Sequence, residues 1–434
     1  MHTVAGMFKR ILTLGAGVLL GLGLALAGAR VATAWHLFPN RDLSRASDRV
    51  REVFELVNEN YVETKPAAYD ELATAALHGM VEGLDPHSEF LEAKDNREFE
   101  EELTGEFGGV GIQVESRGGK VVVIAPIAGT PSERAGILRG DEIESIDGKL
   151  VEKSTPMNDV VSRLRGAPKT KVALGLYRPD TQKKIDLTLV RELIKVESVR
   201  DAHIVADGVG YIQLTEFSEH TGEQFRTALD GLLKQGIDSV IIDLRNNPGG
   251  LLDAAVEVAE LFFKKGELIV YTQGRKPGER DDYRSEIQGP PLDLPIAVLI
   301  NAGSASAAEV VTGAFKDTNR AVVVGERSFG KGSVQSIFKL KNGDGLRLTT
   351  ARYYTPGGVS LHEKGITPHI EVVMTPDEDN KLSLQRSRSE ISAAKEFKER
   401  FGFEPIQDRQ LQAAIDVLTG VRVLDSRTTP MTSK

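Results

Sequence analysis

Between residues 43 and 102 apolar side chains recur every three or four positions, as at Val50, Val53, Phe54 and Val57, which predicts helix. Pro66 separates this stretch from a second helix over 70–83. From 106 to about 191 the period changes to alternation. Residues 109–114 and 120–124 read as hairpin partners across Gly118-Gly119, followed by a short helix at 131–137, a strand and turn at 140–148 and a helix at 157–164. Beyond 192 strands and helices alternate, with strands at 210–214, 239–244, 268–272, 296–300 and 321–324 and helices at 223–234 and 252–263. That order predicts an α/β domain with much parallel sheet. Residues 377–402 are charged and read as helical or partly mobile. An amphipathic helix follows at 408–418, with Leu411, Ile415 and Leu418 on one face expected to pack on its own domain, and the tail from Ser426 is expected to be disordered.

The N-terminus departs from this pattern. Lys9-Arg10 precede an apolar, charge-free run over 11–29, long enough to span a bilayer, yet Ala27-Gly28-Ala29 and Ala32-Thr33-Ala34 both read as small-x-small cleavage sites. A signal peptide and a membrane anchor are both open, with cleavage favoured. Either one implies export.

The 434 residues suffice for two or three domains with sizeable cores. A net charge of −9 without a basic stripe argues against nucleic acid as a partner. The absence of cysteine removes thiol catalysis, thiolate metal sites and disulfides. The 8 histidines are scattered without paired ligand spacing, so neither a metal nor a cofactor is expected.

Candidate chemistry lies where strands break into loops. The run 296–300 ends in Asn301-Ala302-Gly303-Ser304-Ala305-Ser306 before a helix, a seat for a small hydroxyl among free N–H groups, although a plain helix N-cap fits the same residues. Asn246-Asn247-Pro248-Gly249-Gly250 also follows a strand and opens a helix, so both loops should share the rim beyond the C-terminal strand ends. Gly330-Lys331-Gly332 can lead an amine into a confined place. To act as a base there, a lysine must lose about three pKa units, or about 4 kcal/mol of desolvation and neighbouring charge. The stretch 325–331 also matches most of a phosphate-binding loop, but Gly332 replaces the required Ser or Thr and a strand pattern follows, which argues against nucleotide binding. His87, in the turn Asp85-Pro86-His87-Ser88, reads as structural.

Ser306 in Ser-Ala-Ser-Ala-Ala-Glu, Lys331 in Gly-Lys-Gly and Gln335 four residues later resemble the Ser/Lys/Gln set of the C-terminal processing peptidases. The resemblance extends through 243–250, Tyr353-Tyr354-Thr355-Pro356-Gly357-Gly358, Asp85-Pro86-His87-Ser88 and a PDZ-like run Phe107-Gly108-Gly109-Val110-Gly111. It implies an α/β and α+β multidomain chain: a signal peptide or anchor over 1–34, a helical region over 41–102, a PDZ domain over 103–192, a peptidase core of mostly parallel, ClpP/crotonase-like sheet over 193–376, and a helical C-terminal region over 377–434. It further implies a serine endopeptidase in which Ser306 attacks, Lys331 is the base and Gln335 orients it. The N–H of Ala307 with that of Gly249 or Gly250 would hold the oxyanion. Gly108, Gly109, Val110, Gly111 and Ile112 would capture a peptide C-terminus. Expected partners are protein or peptide substrates with free C-termini, an adaptor protein as in some members, and further copies of the chain in a dimer or larger assembly. Membrane contact would run only through the N-terminal segment, in a bacterial periplasm or envelope. His369 and Gly357-Gly358 depart from the family pattern and are read as local structure. A catalytically idle PDZ scaffold is the alternative that replacing Ser306 would decide.

Overall fold

A computed structural model describes residues 40–386 and 394–428. The N-terminal segment read as a signal peptide or anchor and the last six residues lie outside that range. The helix Arg41–Asn60 is capped by Asn40, whose side chain accepts from the N–H groups of Asp42 and Leu43. The helix Tyr69–Glu82 follows it. These belong to one compact unit ending at Pro86, and residues from His87 onward form a second.

The second unit contains the PDZ-like body. Its antiparallel sheet begins at an edge strand, Ile112–Arg117, and runs through Lys120–Pro126, Glu142–Ile146, Lys171–Arg178 and Lys183–Val190. Val110, Val123, Ile146, Val160, Leu174 and Leu176 pack its core. The strands that enter and leave this body, Glu106–Gly109 and Glu192–Lys195, pair antiparallel as a stalk.

A six-stranded sheet forms the centre of the rest, in the order Val199–Ala206, Val209–Leu214, Ser239–Asp243, Ile296–Ile300, Ala321–Gly325 and Ile370–Glu371. The first pairing is antiparallel and the others are parallel. Alternate residues explain why these strands read as unbroken apolar runs. Ile212, Ile242, Val298 and Val323 face the helices Thr221–Lys234, Leu252–Glu260 and Ala307–Asp317, in a core with Phe225, Val258 and Phe315. Tyr211, Ile241, Leu299 and Val324 face the opposite way, onto Ala414 and Leu418 of the C-terminal helix Arg409–Thr428. That helix runs past Ser426, where disorder was expected.

The expectation of mostly parallel sheet needs correction. Among the described strands, parallel pairing occurs only in the central sheet, and antiparallel pairing dominates. The strand 268–272 belongs to a separate antiparallel sheet in which Gly345–Tyr354 pairs with Glu89–Leu91, Leu268–Gly274 and Ser333–Lys339. An apolar run records that a strand is buried, and its direction depends on partners that the run does not specify. Glu89–Leu91 likewise lies within the stretch read as helical.

Candidate active site

Two neighbouring parallel strands, Ser239–Asp243 and Ile296–Ile300, end side by side with Asp243 opposite Leu299. Their loops are stitched together. Asn246 N–H donates to Asn301 Oδ1 (2.8 Å), Asn301 Nδ2 donates to Asn246 Oδ1 (2.9 Å), and Ala305 N–H donates to the Asn247 carbonyl (2.9 Å).

Within the second loop the two serines have different environments. Ser304 is fully buried, its hydroxyl donating to the Leu244 carbonyl (2.7 Å) and accepting from Asn301 N–H (3.0 Å). It is committed to the turn. Ser306 stands at the helix N-cap with φ +53° and ψ −115°, a region that L-residues adopt only when held there, at about 1–3 kcal/mol. Its side chain interacts with the buried Tyr353 phenol. Burial pushes Tyr353 up to about 12, and the contact with Ser306 opposes the rise.

The glycine loop packs directly against this seat. A Cβ on Gly249 would lie 2.7 Å from Ser306 Cβ and 2.9 Å from Ala307 N, so only glycine fits. Gly249 N–H is already taken by Asn247 Oδ1 (2.9 Å). The bridge to Phe217 uses the Gly249 carbonyl and the Leu251 N–H, which turns the Gly250 N–H toward the opposite edge.

Lys331 arrives on the loop after Ala321–Gly325. Burial lowers its pKa, the nearby Arg347 lowers it further, and Glu102 opposes both. Gln335, on Ser333–Lys339, donates through Nε2 to Thr349 Oγ1 (2.9 Å) and Ser333 Oγ (3.2 Å). Its carbonyl oxygen is buried without a partner. Such an acceptor is costly unless a donor visits it. Ser306, Lys331, Gln335, Gly249, Gly250 and Tyr353 line one cleft of about 410 Å³, with Phe99, Glu102 and Leu103 of the helix Ala93–Thr104 on its rim.

The other sequence candidates lie elsewhere. His369 Nδ1 accepts from Val323 N–H (3.0 Å) while the His369 backbone N–H donates to the Val323 carbonyl (2.8 Å), an edge-of-sheet role. His87 does not line the cleft. Its neighbour Ser88 accepts from Thr349 N–H (3.1 Å), so Ser88 stands behind the residue that holds Gln335. The phosphate-loop resemblance ends at Gly332, because Ser333–Lys339 is a strand and the N–H groups of Gly330 and Lys331 both donate to Glu309. Sequence reasoning assigned Glu309 no role, although Ser-x-x-Glu is the spacing of a capping box.

The five PDZ-loop residues divide into two groups. Gly108 and Gly109 belong to the stalk, where a Cβ on Gly108 would lie 2.2 Å from the Gly166 carbonyl. Val110, Gly111 and Ile112 turn into the edge strand, and Gly111, at φ +75°, accepts from Ile127 N–H and the Ser132 hydroxyl. None of the five lines the cleft that holds Ser306.

Comparison with known proteins yields two family matches, Peptidase family S41 over residues 208–372 and PDZ domain over 108–189. A carboxy-terminal-processing protease of Bartonella bacilliformis is 37% identical over 429 residues, covering 95% of this chain and 96% of that protein. A probable CtpA-like serine protease of Staphylococcus aureus is 34% identical over 359 residues, covering 81% of this chain and 71% of that one. Among solved structures, a photosystem II D1 C-terminal processing protease is 29% identical with a TM-score of 0.44, over 74% of this chain and 92% of that one.

Proposed function

Because the chain belongs to peptidase family S41 and is a serine-type, carboxy-terminal-processing endopeptidase, we propose that Ser306 is its nucleophile, Lys331 its general base and Gln335 the residue that orients the lysine. The observation that carries this reading is the unpartnered Gln335 carbonyl, buried in the same cleft as Ser306 and a lysine of lowered pKa. Gln335 can accept from a neutral amine without contributing charge. A carboxylate in its place would hold the lysine protonated.

In the reaction, Ser306 Oγ adds to the scissile carbonyl carbon as its proton passes to Lys331 Nζ. The oxyanion receives the N–H groups of Ala307 and Gly250, the latter preferred over Gly249, whose N–H is engaged by Asn247. Collapse breaks the C–N bond, and Lys331 returns its proton to the leaving amine. Water, deprotonated by Lys331, then releases the acyl group and restores the serine.

Val110, Gly111 and Ile112 present a turn beside an open strand edge, which suits capture of a peptide C-terminus by strand addition. Substrates would be envelope proteins cut near their C-termini, or unfolded polypeptides, in a bacterial periplasm or cell envelope. A ClpP/crotonase-like core, a homo-oligomer and an adaptor partner belong to the same reading. Casein cleavage by a chain lacking the residues before Trp35 tests it. Activity lost in both Ser306→Ala and Lys331→Ala, and rising with pH in the wild type, is the expected result. Turnover that survives Ser306→Ala would overturn the assignment.

A further inference from the structure

Glu309 is fully buried one turn into the nucleophile's helix, and its carboxylate receives four hydrogen bonds. Oε2 accepts from the N–H groups of Ser306 (2.9 Å) and Lys331 (2.8 Å). Oε1 accepts from the Ser328 hydroxyl (2.5 Å) and Gly330 N–H (2.8 Å). The Ser328 oxygen accepts in turn from Ile366 N–H (2.6 Å). Three of the four neighbours are backbone N–H groups, which can only donate, so the ionised carboxylate fits the site best. Burial raises the carboxyl's proton affinity and the four hydrogen bonds pull it back.

One side chain thus grips the backbone of both loops at the residues that matter. Without it, Ser306 N–H would have no acceptor in a helix end that is buried, and the other link from the lysine loop, Phe329 N–H to the Ser304 carbonyl (3.0 Å), ends two residues before Ser306. We propose that Glu309 is a positioning residue, a tie between the Ser306 loop and the Lys331 loop that keeps the serine in its strained seat and the lysine inside the cleft. The inference rests on the Ser306/Lys331 reading above, but it concerns how those two residues are held.

Glu309→Gln tests the tie with little change of volume. Whichever way the amide turns, its NH₂ meets at least one backbone N–H that it cannot accept from, so at least one contact is lost. The expected result is a fall in kcat of about 10²-fold, the scale of a displacement near 1 Å, with KM little changed. As the loosened loop admits water to Lys331, the ascending limb of the pH profile should also move to higher pH. Lys331 is faced by Arg347 and Glu102, and neither is altered by the substitution. The control is Thr312→Ala, which removes a buried hydrogen bond to the Ala308 carbonyl in the same helix without touching either loop. It should lower thermal stability and leave the pH limb in place.

A second readout is independent of turnover. Reductive methylation with ¹³C-formaldehyde, with the Lys331 signal identified by its loss in Lys331→Arg, reports that amine's titration directly. Its midpoint should rise in Glu309→Gln. If Glu309→Gln and Thr312→Ala behave alike, with limb and midpoint unmoved, the tie is overturned. If the wild type lacks Ser306- and Lys331-dependent turnover, the parent reading fails, and the methyl titration still decides the tie. Should Glu309→Gln not fold, Ser328→Ala removes a single donor and should move the same midpoint by a smaller amount. An unmoved midpoint there would also count against the tie.

Discussion

Two polar clusters stand at the ends of adjacent parallel strands, and they differ in how completely they are satisfied. Beyond Ser239–Asp243, the buried Asp243 accepts from Tyr211 (2.7 Å), Arg245 (2.6 Å) and Arg386 (3.3 Å), while Arg245 also reaches Asp408 (2.8 Å) and Gln410 (3.1 Å). Burial alone would raise Asp243, yet the two arginines and the phenol outweigh it and hold the carboxyl at about 2. Beyond Ile296–Ile300, the cleft instead keeps a strained serine, a lysine of lowered pKa and an unpartnered amide oxygen. The first cluster is closed and pins the C-terminal helices to the sheet. The second, on the reading proposed above, is left open for a substrate to complete. Polarity at a strand end is therefore no sign of function until its hydrogen bonds are counted.

The comparison can be broken most severely at the open cluster. Ser306→Ala and Lys331→Ala should each lower kcat/KM by at least about 10³-fold, in a protein with an unchanged circular dichroism spectrum. If both retain activity, the open cluster is not the site of chemistry. The closed cluster should respond in stability instead. Arg245→Met leaves Asp243 buried with less compensation, and urea titration should show a loss of about 3–5 kcal/mol. A loss much below that would mean that Arg386 and Tyr211 suffice.

Gln335→Glu sharpens the contrast by adding charge where the cleft avoids it. A neighbouring carboxylate raises a lysine by about 1–3 units, so the ascending limb of kcat/KM should move to higher pH by that order. For Asp243, the folded pKa lies below the ordinary 3.8, so its contribution is present above that value and lost as pH falls toward about 2. Acid denaturation of Asp243→Asn should show a weaker dependence on pH across this window. The smallest effect is expected for Lys331→Met. The folded chain disfavours the lysine's charge, so removing it should raise Tm by a few degrees at neutral pH, within about 1 kcal/mol.

The sequence makes Ser306 and Lys331 legible because each sits in a short motif whose meaning survives without tertiary context. Gln335 is legible only through its spacing from Lys331. Its holder Thr349 is not, because that contact depends on the antiparallel register of Ser333–Lys339 with Gly345–Tyr354, which no local pattern encodes. Ser88 lies 261 residues from Thr349 and is further out of reach. Gly249 and Gly250 cannot be separated by composition. What distinguishes them is one side-chain acceptor, Asn247, and the alternation of N–H directions along a bridge. The central sheet was readable because both of its faces are buried, whereas the strand at 268–272 was misplaced because an apolar run does not specify the direction of its partners.

The paired stalk strands Glu106–Gly109 and Glu192–Lys195 have a consequence for how such chains are assembled. The insertion begins and ends at points about 5 Å apart, the spacing of neighbouring strands. A gap of that width can be closed by a short turn, so the intervening body can be removed, duplicated or exchanged for another without stretching the chain on either side. In evolutionary terms the PDZ body is a cassette, exchangeable without rebuilding the core that carries Ser306 and Lys331.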